Sequence, residues 1–178
     1  IDTKVFYYCC VESLYITSKV IEIKENCCHN TDDLVDISIS EKNKNFLLLE
    51  NQQKDLLCKS NPHQDIFDVI LFACRNIRSV FIPRYIKRIG SSAFNECNFL
   101  SEIEFENDSE IESFGENAFV GTAIINFLIP QTVVKFEKSC FSCCSYLFSF
   151  EALNEIITFT KKIFSDSREL TLLSFPSA

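Results

Sequence analysis

Ile77-x-x-Val80-x-Ile82-Pro83 opens a row that the chain repeats four more times. The repeats are Leu100-x-x-Ile103-x-Phe105, Ile124-x-x-Phe127-x-Ile129-Pro130, Leu147-x-x-Phe150-x-Ala152 and Leu170-x-x-Leu173-x-Phe175-Pro176. The row starts lie 23, 24, 23 and 23 residues apart. A second signature recurs inside each row: Ile89-Gly90-Ser91-Ser92-Ala93-Phe94, Phe114-Gly115-Glu116-Asn117-Ala118-Phe119, Phe136 to Phe141, and Phe159 to Phe164. Self-similarity at a fixed period in the twenties marks a stacked solenoid, in which each coil packs only on its neighbours.

The physics inside a row is that of a strand with one wet face. Ile103 and Phe105 alternate with Glu102 and Glu104, the period of two expected of a half-buried strand. Pro83, Pro130 and Pro176 end the strand, because proline has no N–H to donate and a fixed φ. Successive strands are expected to stack in parallel. Ile86 and Ile89 with their equivalents form a second short inward segment. Ala93-Phe94 and their equivalents then turn a corner, read here as a single helical or 3₁₀ turn, with Gly90 and Gly115 supplying positive φ. Phe94, Phe119, Phe141 and Phe164 should form one buried column, and Phe114, Phe136 and Phe159 a second.

The same ruler reaches the N-terminus. Val11-x-x-Leu14-x-Ile16 and Leu34-x-x-Ile37-x-Ile39 are row starts 23 residues apart. Between Ile39 and Ile82 the gap is 43 residues where two rows would need 46. Residues 41–72 therefore read as an irregular insert: a meander of short strands, or alternatively a short helix over 46–58. This divides a single array over 1–178 into N-terminal rows at 1–40, the insert at 41–72 and regular rows at 73–178. The array begins and ends mid-coil and does not open with Met, so a longer parent array is expected, with edge or end-to-end contacts at its open ends.

Two strings carry a family resemblance: Val80-Phe81-Ile82-Pro83-Arg84-Tyr85-Ile86-Lys87-Arg88-Ile89-Gly90-Ser91-Ser92-Ala93-Phe94-Asn95-Glu96-Cys97 and Ile111-Glu112-Ser113-Phe114-Gly115-Glu116-Asn117-Ala118-Phe119. They resemble the BspA-like leucine-rich repeat. Later rows depart from its pattern: Glu137 and Thr160 replace Gly, Cys140 and Ile163 replace Ala, and Gly121 and Ser167 replace the terminal Cys. The resemblance implies a β-rich leucine-rich-repeat solenoid with short helical turns on the side away from the main sheet. It also implies a non-catalytic, cell-surface or secreted adhesion role toward host cells or matrix. The rival reading is an intracellular structural part, such as a cytoplasmic scaffold or cytoskeletal assembly component.

Composition narrows the chemistry. The 178 residues carry a net charge of −8, which disfavours nucleic acid and favours a basic, partly apolar protein partner. Uncharged runs are too short for a bilayer-spanning helix. Three glycines make a phosphate cradle hard to build, and no nucleophile or metal-protease motif occurs; no enzyme, cofactor or metal is expected. Of ten cysteines, Cys74, Cys97 and Cys144 share one offset before a row start and form a column. Cys27 and Cys140 fall in the Ala93 column and Cys28 in the Phe94 column. Buried reduced thiols explain these. Zinc at Cys140-x-x-Cys143 or Cys27-Cys28-His29, and a Cys74–Cys97 disulfide, are the sharper alternatives. Asn107-Asp108-Ser109 is a glycosylation sequon in an exposed loop.

The candidate binding residues come from the outward strand positions. Tyr15, Ser38, Phe81, Glu104, Leu128, Glu151 and Ser174 form one column, with Ser13, Asp36, Ser79, Glu102, Asn126, Ser149 and Leu172 beside it. Phe81 and Leu128 point the same way as Glu104, and apolar groups among acids on a wet sheet mark a contact surface. Phe81, Glu102, Glu104, Asn126, Leu128 and Glu151 are therefore expected to form the centre of a protein-binding patch.

Overall fold

A computed structural model describes residues 1–49, 54–152, 154 and 158–175. Residues 50–53 of the polar stretch and Pro176, expected to end a strand, lie outside these residues. The strands follow in the order β1 (Ser13–Ile16), β2 (Asp36–Ile39), β3 (Phe46–Leu49), β4 (Asp55–Cys58), β5 (Val69–Ala73), β6 (Ser79–Ile82), β7 (Arg88–Ile89) and β8 (Glu102–Phe105). They continue with β9 (Ser113–Phe114), β10 (Asn126–Ile129), β11 (Lys135–Phe136), β12 (Ser149–Ala152), β13 (Thr158–Phe159) and β14 (Leu172–Ser174). The fold is a β-solenoid with three sides to each coil.

The row-start strands make the first side. They stack in parallel as β1–β2, β6–β8 and β10–β12–β14, with equivalent positions opposite one another: Leu14 faces Ile37, Val80 faces Ile103 and Phe127 faces Phe150. The alternation read from sequence is realised, since Val80, Ile82, Phe127 and Ile129 are buried while Phe81 and Leu128 are exposed. The second side is the run β7–β9–β11–β13, which is also parallel, with Ile89, Phe114, Phe136 and Phe159 in register.

The third side is the corner, and there the expectation of a helical turn fails. Among the described residues there is no helix. Each corner is instead a pair of turns bounded by two left-handed residues four apart: Lys4 and Tyr8, Asn26 and Asn30, Ser92 and Glu96, Asn117 and Gly121, Ser139 and Cys143, Lys162 and Asp166. A left-handed residue every fourth position breaks the i→i−4 pattern and lets alternate backbone groups point to the rows above and below. Thus Phe94 N–H donates to the Ala118 carbonyl at 2.8 Å, Phe119 N–H to that of Cys140 at 2.9 Å and Phe141 N–H to that of Ile163 at 2.9 Å. Asn26, Asn30, Asn117 and Asp166 suit these positions because their short side chains tolerate the left-handed region better than most, and Gly121 has no Cβ to clash.

The glycines also act differently from expectation. Only Gly121 has positive φ. A Cβ on Gly115 would lie 2.4 Å from the Ser91 nitrogen, and one on Gly90 would lie 2.9 Å from the Ile70 oxygen. These two glycines are required by close approach of neighbouring rows.

Phenylalanine fills the interior. Phe94 stacks on Phe119 at 5.6 Å and Phe119 on Phe141 at 4.8 Å, with all three rings fully buried. Phe114 and Phe136, 5.1 Å apart, start the second column, and Phe127 and Phe150, 5.8 Å apart, add a third. The buried column does not extend as far as expected: Phe164 is only half-buried and Phe159 is exposed. Both belong to the row before β14, beyond which the cover is partial: Phe175 meets Phe159 edge-on at 5.6 Å. Truncating a fully buried ring of this kind to alanine costs about 3–5 kcal/mol.

Within the stretch 46–58, Phe46–Leu49 and Asp55–Cys58 form strands where the alternative reading had a helix. β3, β4 and β5 are an antiparallel meander, and β5 then pairs in parallel with β7. The stretch Phe67 to Phe72, read as insert, therefore supplies the second side of a row. That row has no corner of its own. The corner at Asn26 stacks directly on the one at Ser92, 66 residues later in the chain, with Asn26 N–H donating to the Ser91 carbonyl at 3.3 Å. The Glu25 carboxylate accepts from Arg88 Nε and Nη2, both at 3.2 Å, and from the Ser91 N–H at 2.7 Å. Burial pushes Glu25 up, but Arg88 and Ser91 outweigh it and hold the carboxyl below its usual range.

Arg75 completes this joint. Its buried guanidinium donates to the carbonyls of Cys28 at 2.8 Å, Thr31 at 3.3 Å, and Ala73 and Ala93 at 3.1 Å each. The fork thereby bridges the corner at Asn26 and the corner at Ser92. Replacing Arg75 by Met removes a donor from all four carbonyls, of which Cys28 and Ala93 keep another; each one left unpaired costs roughly 1–3 kcal/mol. The expected outcome is a lower urea midpoint, with amides of residues 1–49 losing hydrogen-exchange protection before those of 100–152. Uniform loss of protection across both segments would contradict the joint.

The meander carries a buried acid. Asp55 is fully enclosed, one of its carboxyl oxygens has no hydrogen-bond partner among the described residues, and burial pushes its carboxyl up to about 7. The folded protein thus keeps a proton that the unfolded chain releases near pH ~4. Its stabilising contribution is complete below that value and is lost as pH rises toward 7. Asp55→Asn should flatten the fall in urea midpoint between pH 4 and 8. A variant with the parent's slope would show that Asp55 does not titrate in this window.

Candidate binding face and groove

The six candidate residues stand on two parallel strand pairs, β6–β8 and β10–β12. On β6 and β8, Phe81 lies opposite Glu104, and Ser79 opposite Glu102. On β10 and β12, Leu128 lies opposite Glu151, and Asn126 opposite Ser149. Phe81 is 39% exposed and Leu128 56%, while Glu102, Glu104 and Asn126 are exposed and Glu151 is half-buried. Ser149, expected on the wet face, is buried, with its hydroxyl 2.7 Å from Asn126 Oδ1. Tyr15 is 62% exposed on the separate β1–β2 ladder.

Phe81 and Glu104 are not continuous with Leu128 as the pattern suggested. No ladder joins β8 to β10 among the described residues. A groove of about 870 Å³ lies between them, lined by residues 103–110 and 126–132. The cause is legible in the 24-residue row. From Phe105 to Ile111 the chain takes six steps, where Ile82 to Ile86 takes four. From Phe119 to Ile124 it takes five, where Phe94 to Leu100 takes six. The longer loop after β8 and the shorter approach to β10 spoil the stacking. Ile103 and Phe105, inward-facing positions expected to be buried, are consequently only half-buried. The odd period was the available signal for this groove.

The groove is acidic. Glu104, Glu106, Asp108 and Glu110 line it, and no Lys, Arg or His does. None of the four carboxylates joins an ion pair among the described residues. Glu106 accepts one backbone hydrogen bond, from Arg84 N–H at 2.9 Å. Asn107 of the sequon is exposed on the same loop. The adjoining Ser109 is buried, and its carbonyl accepts from Thr132 Oγ1 at 3.0 Å.

The cysteines are all free thiols. Cys97 donates to the Cys74 carbonyl at 3.6 Å, and Cys144 donates to the Phe119 carbonyl at 3.1 Å. Thr122 and Ser167 occupy the equivalent offset in their rows and donate to the Phe119 and Phe141 carbonyls at 2.9 Å and 2.7 Å. The column is therefore one of small donors that satisfy corner carbonyls, which accounts for Cys alternating with Thr and Ser. Burial pushes the Cys74 thiol up to about 12 and those of Cys97 and Cys144 up to about 11. Cys140 is buried and Cys143 exposed, so the Cys-x-x-Cys pair diverges. Among the described residues no group of three His, Cys, Asp or Glu side chains could hold a metal ion, and no helix is long and apolar enough to cross a membrane.

The comparisons agree with this geometry. The family model for the BspA type leucine rich repeat region matches residues 1–47 and 65–178 in six copies. The chain belongs to the BspA-type leucine-rich repeat family. Six is also the number of left-handed corner pairs, and the unmatched residues span most of the β3–β4 hairpin. Among solved structures, the chain is similar to a leucine-rich repeat protein from Eubacterium ventriosum, with TM-score 0.80 and 18% identity over 98% of this chain and 52% of that one. It is similar to a leucine rich cell surface protein from Faecalibacterium prausnitzii, with TM-score 0.71 and 18% identity over 99% of this chain and 51% of that one. It is also similar to the pneumococcal vaccine antigen PcpA, with TM-score 0.58 and 14% identity over 94% and 46%. At these identities the likeness shows the fold, and the BspA-type chain spans about half the length of those proteins. No curated protein matches it. Leucine-rich repeats generally mediate protein interactions, and their fold is typically a non-enzymatic scaffold.

Thiol accessibility tests the column. In the reduced native BspA-type chain, Cys9, Cys10 and Cys143 should titrate rapidly with a disulfide reagent, and the buried six only after denaturation, with Cys58 between. Rapid native labelling of Cys97 or Cys144 would contradict the donor column.

Proposed function

We propose that this BspA-type chain is a non-catalytic protein-binding module, displayed at a cell surface or secreted, that engages host-cell or matrix proteins through its row-start face. The observation that carries the proposal is the pair Phe81 and Leu128, exposed among carboxylates on the two neighbouring parallel ladders β6–β8 and β10–β12. Exposed apolar side chains supported from beneath by a packed core offer contact area at little ordering cost. The acids around them favour a partner surface that is basic at its rim and apolar at its centre. The surface description of the Faecalibacterium neighbour supports the location by analogy.

A second reading has its own observation. Ten free thiols, several acting as structural donors in protonated form, suit a reducing compartment. On this reading the same face joins an intracellular scaffold. Ten alkylatable thiols in protein isolated from its natural source without reductant would favour it.

The test of the face is the double substitution Phe81→Ser with Leu128→Ser. The urea midpoint should hardly move, because both side chains are exposed. Affinity for a partner captured on the parent protein should fall about tenfold, or roughly 1.4 kcal/mol. An intact fold with unchanged affinity would place binding elsewhere on the solenoid.

A further inference from the structure

We infer that the groove between β8 and β10 receives one extended peptide segment in which basic residues alternate with apolar ones, and that the segment adds to the sheet as a strand. The inference rests on the binding-module reading and names the form its ligand takes. Three independent features of the groove converge on this occupant.

The first is the backbone. Glu102 and Glu106 N–H donate toward β6, to the Arg78 and Ile82 carbonyls. In a parallel ladder the N–H and C=O groups of alternate residues point to opposite edges, so those of Ile103 and Phe105 face the groove. On the other wall, Ser149 N–H donates to the Ile125 carbonyl, which leaves the groups of Asn126 and Leu128 turned toward β8. Two strand edges of the same direction thus flank one gap without pairing. An exposed edge is a template for another strand, and a gap with an edge on each side can satisfy both rows of donors and acceptors of a single inserted segment.

The second is the floor. An inserted strand sends alternate side chains inward. Those would meet Ile103 and Phe105, which the groove leaves half-buried. Aliphatic residues at alternate positions of the segment would cover the surface of Ile103 and Phe105 that remains exposed above the Phe105–Phe127 contact at 6.0 Å. The third is charge. The outward side chains of the segment would stand beside Glu104, with Glu106, Asp108 and Glu110 in the loop at the end of β8. Four carboxylates with no cation among the lining residues and no ion pair of their own select Lys or Arg at these positions. The volume of about 870 Å³ lies within the range of cavities that enclose a ligand, and well above what a few waters need.

The probe is a fluorescein-labelled, capped heptapeptide of alternating lysine and valine, titrated against the whole chain at low salt. Saturable binding is expected, together with new hydrogen-exchange protection at the amides of Phe105 and Leu128. Methylating the backbone nitrogens of the valines, or separately those of the lysines, should each weaken binding at least tenfold, because both edges of the segment are paired. Addition to a single edge would tolerate one of the two sets. Glu104→Gln with Glu106→Gln should weaken binding about tenfold, and 0.5 M salt should do the same. Ile21→Ser should leave peptide affinity unchanged, since Ile21 is exposed and lines no part of the groove. The inference is overturned by absence of binding at millimolar peptide, by equal binding of either methylated peptide, or by protection that appears away from β8 and β10. If those outcomes coincide with a partner whose affinity still depends on Phe81, the face reading stands and only strand insertion fails. If peptide binds as expected while Phe81→Ser and Leu128→Ser have no effect on partner capture, the groove stands and the wider face does not.

Discussion

Everything else in this molecule depends on the corner ladder. Between each pair of left-handed residues the backbone turns without coiling on itself, so its hydrogen bonds run from row to row. Phe94, Phe119 and Phe141 hang beneath this ladder and stack at 4.8–5.6 Å, close to the rung spacing of roughly 5 Å that backbone hydrogen bonding imposes. Ring stacking and the ladder therefore demand the same period. A helix at the corner would use its backbone groups internally and leave the rows joined on that side by side chains alone. The donor column of Thr122, Cys144 and Ser167 serves the same constraint, since it adds donors to the corner carbonyls of Phe119 and Phe141.

The ladder also explains how the chain tolerates an interruption. β3, β4 and β5 leave the stack and return, yet the corner side passes straight from Asn26 to Ser92. The mismatch concentrates at one place, where a ladder rung would otherwise have run from Cys28 to Ala93. Arg75 fills it, because a planar guanidinium can serve carbonyls on both rows at once. It does so without a carboxylate contact, while Glu25 and Arg88 supply the ion pair nearby. Buried charge here acts as a connector between two segments far apart in sequence. Gly90 belongs to the same joint, since Ile70 and Glu25 converge on the position its side chain would need.

On the opposite side the same tolerance opens the groove. The 24-residue row keeps its corner and its second strand in register, as Ile89, Phe114 and Phe136 show, and places the irregularity in the loop after β8. The exposed face is consequently two apolar and acidic half-patches with an acidic slot between them. A repeat protein can alter such a loop without disturbing its core, because each coil touches only its neighbours. The acidic groove of this chain thus comes from a local departure from its period.

The row pattern alone determined the solenoid, the parallel stacking, the inward and outward alternation of residues such as Val80, Phe81 and Ile82, and the shared offset of Cys74, Cys97 and Cys144. These are local consequences of spacing, and a strand's two-residue period transmits them directly to a face. Only the tertiary structure decided that the corners are left-handed turns, because polar residues at Ser92, Asn117 and Ser139 are compatible with either a helical start or a reversed turn until the neighbouring row supplies the hydrogen bonds. It alone showed that Gly115 is needed for closeness and not for φ, that Phe159 lies exposed, and that β8 and β10 part company. The pairing of Asn26 with Ser91, and the place of Arg75 between Cys28 and Ala93, lay beyond any reading of spacing, because the insert separates those partners in sequence and only stacking brings them together.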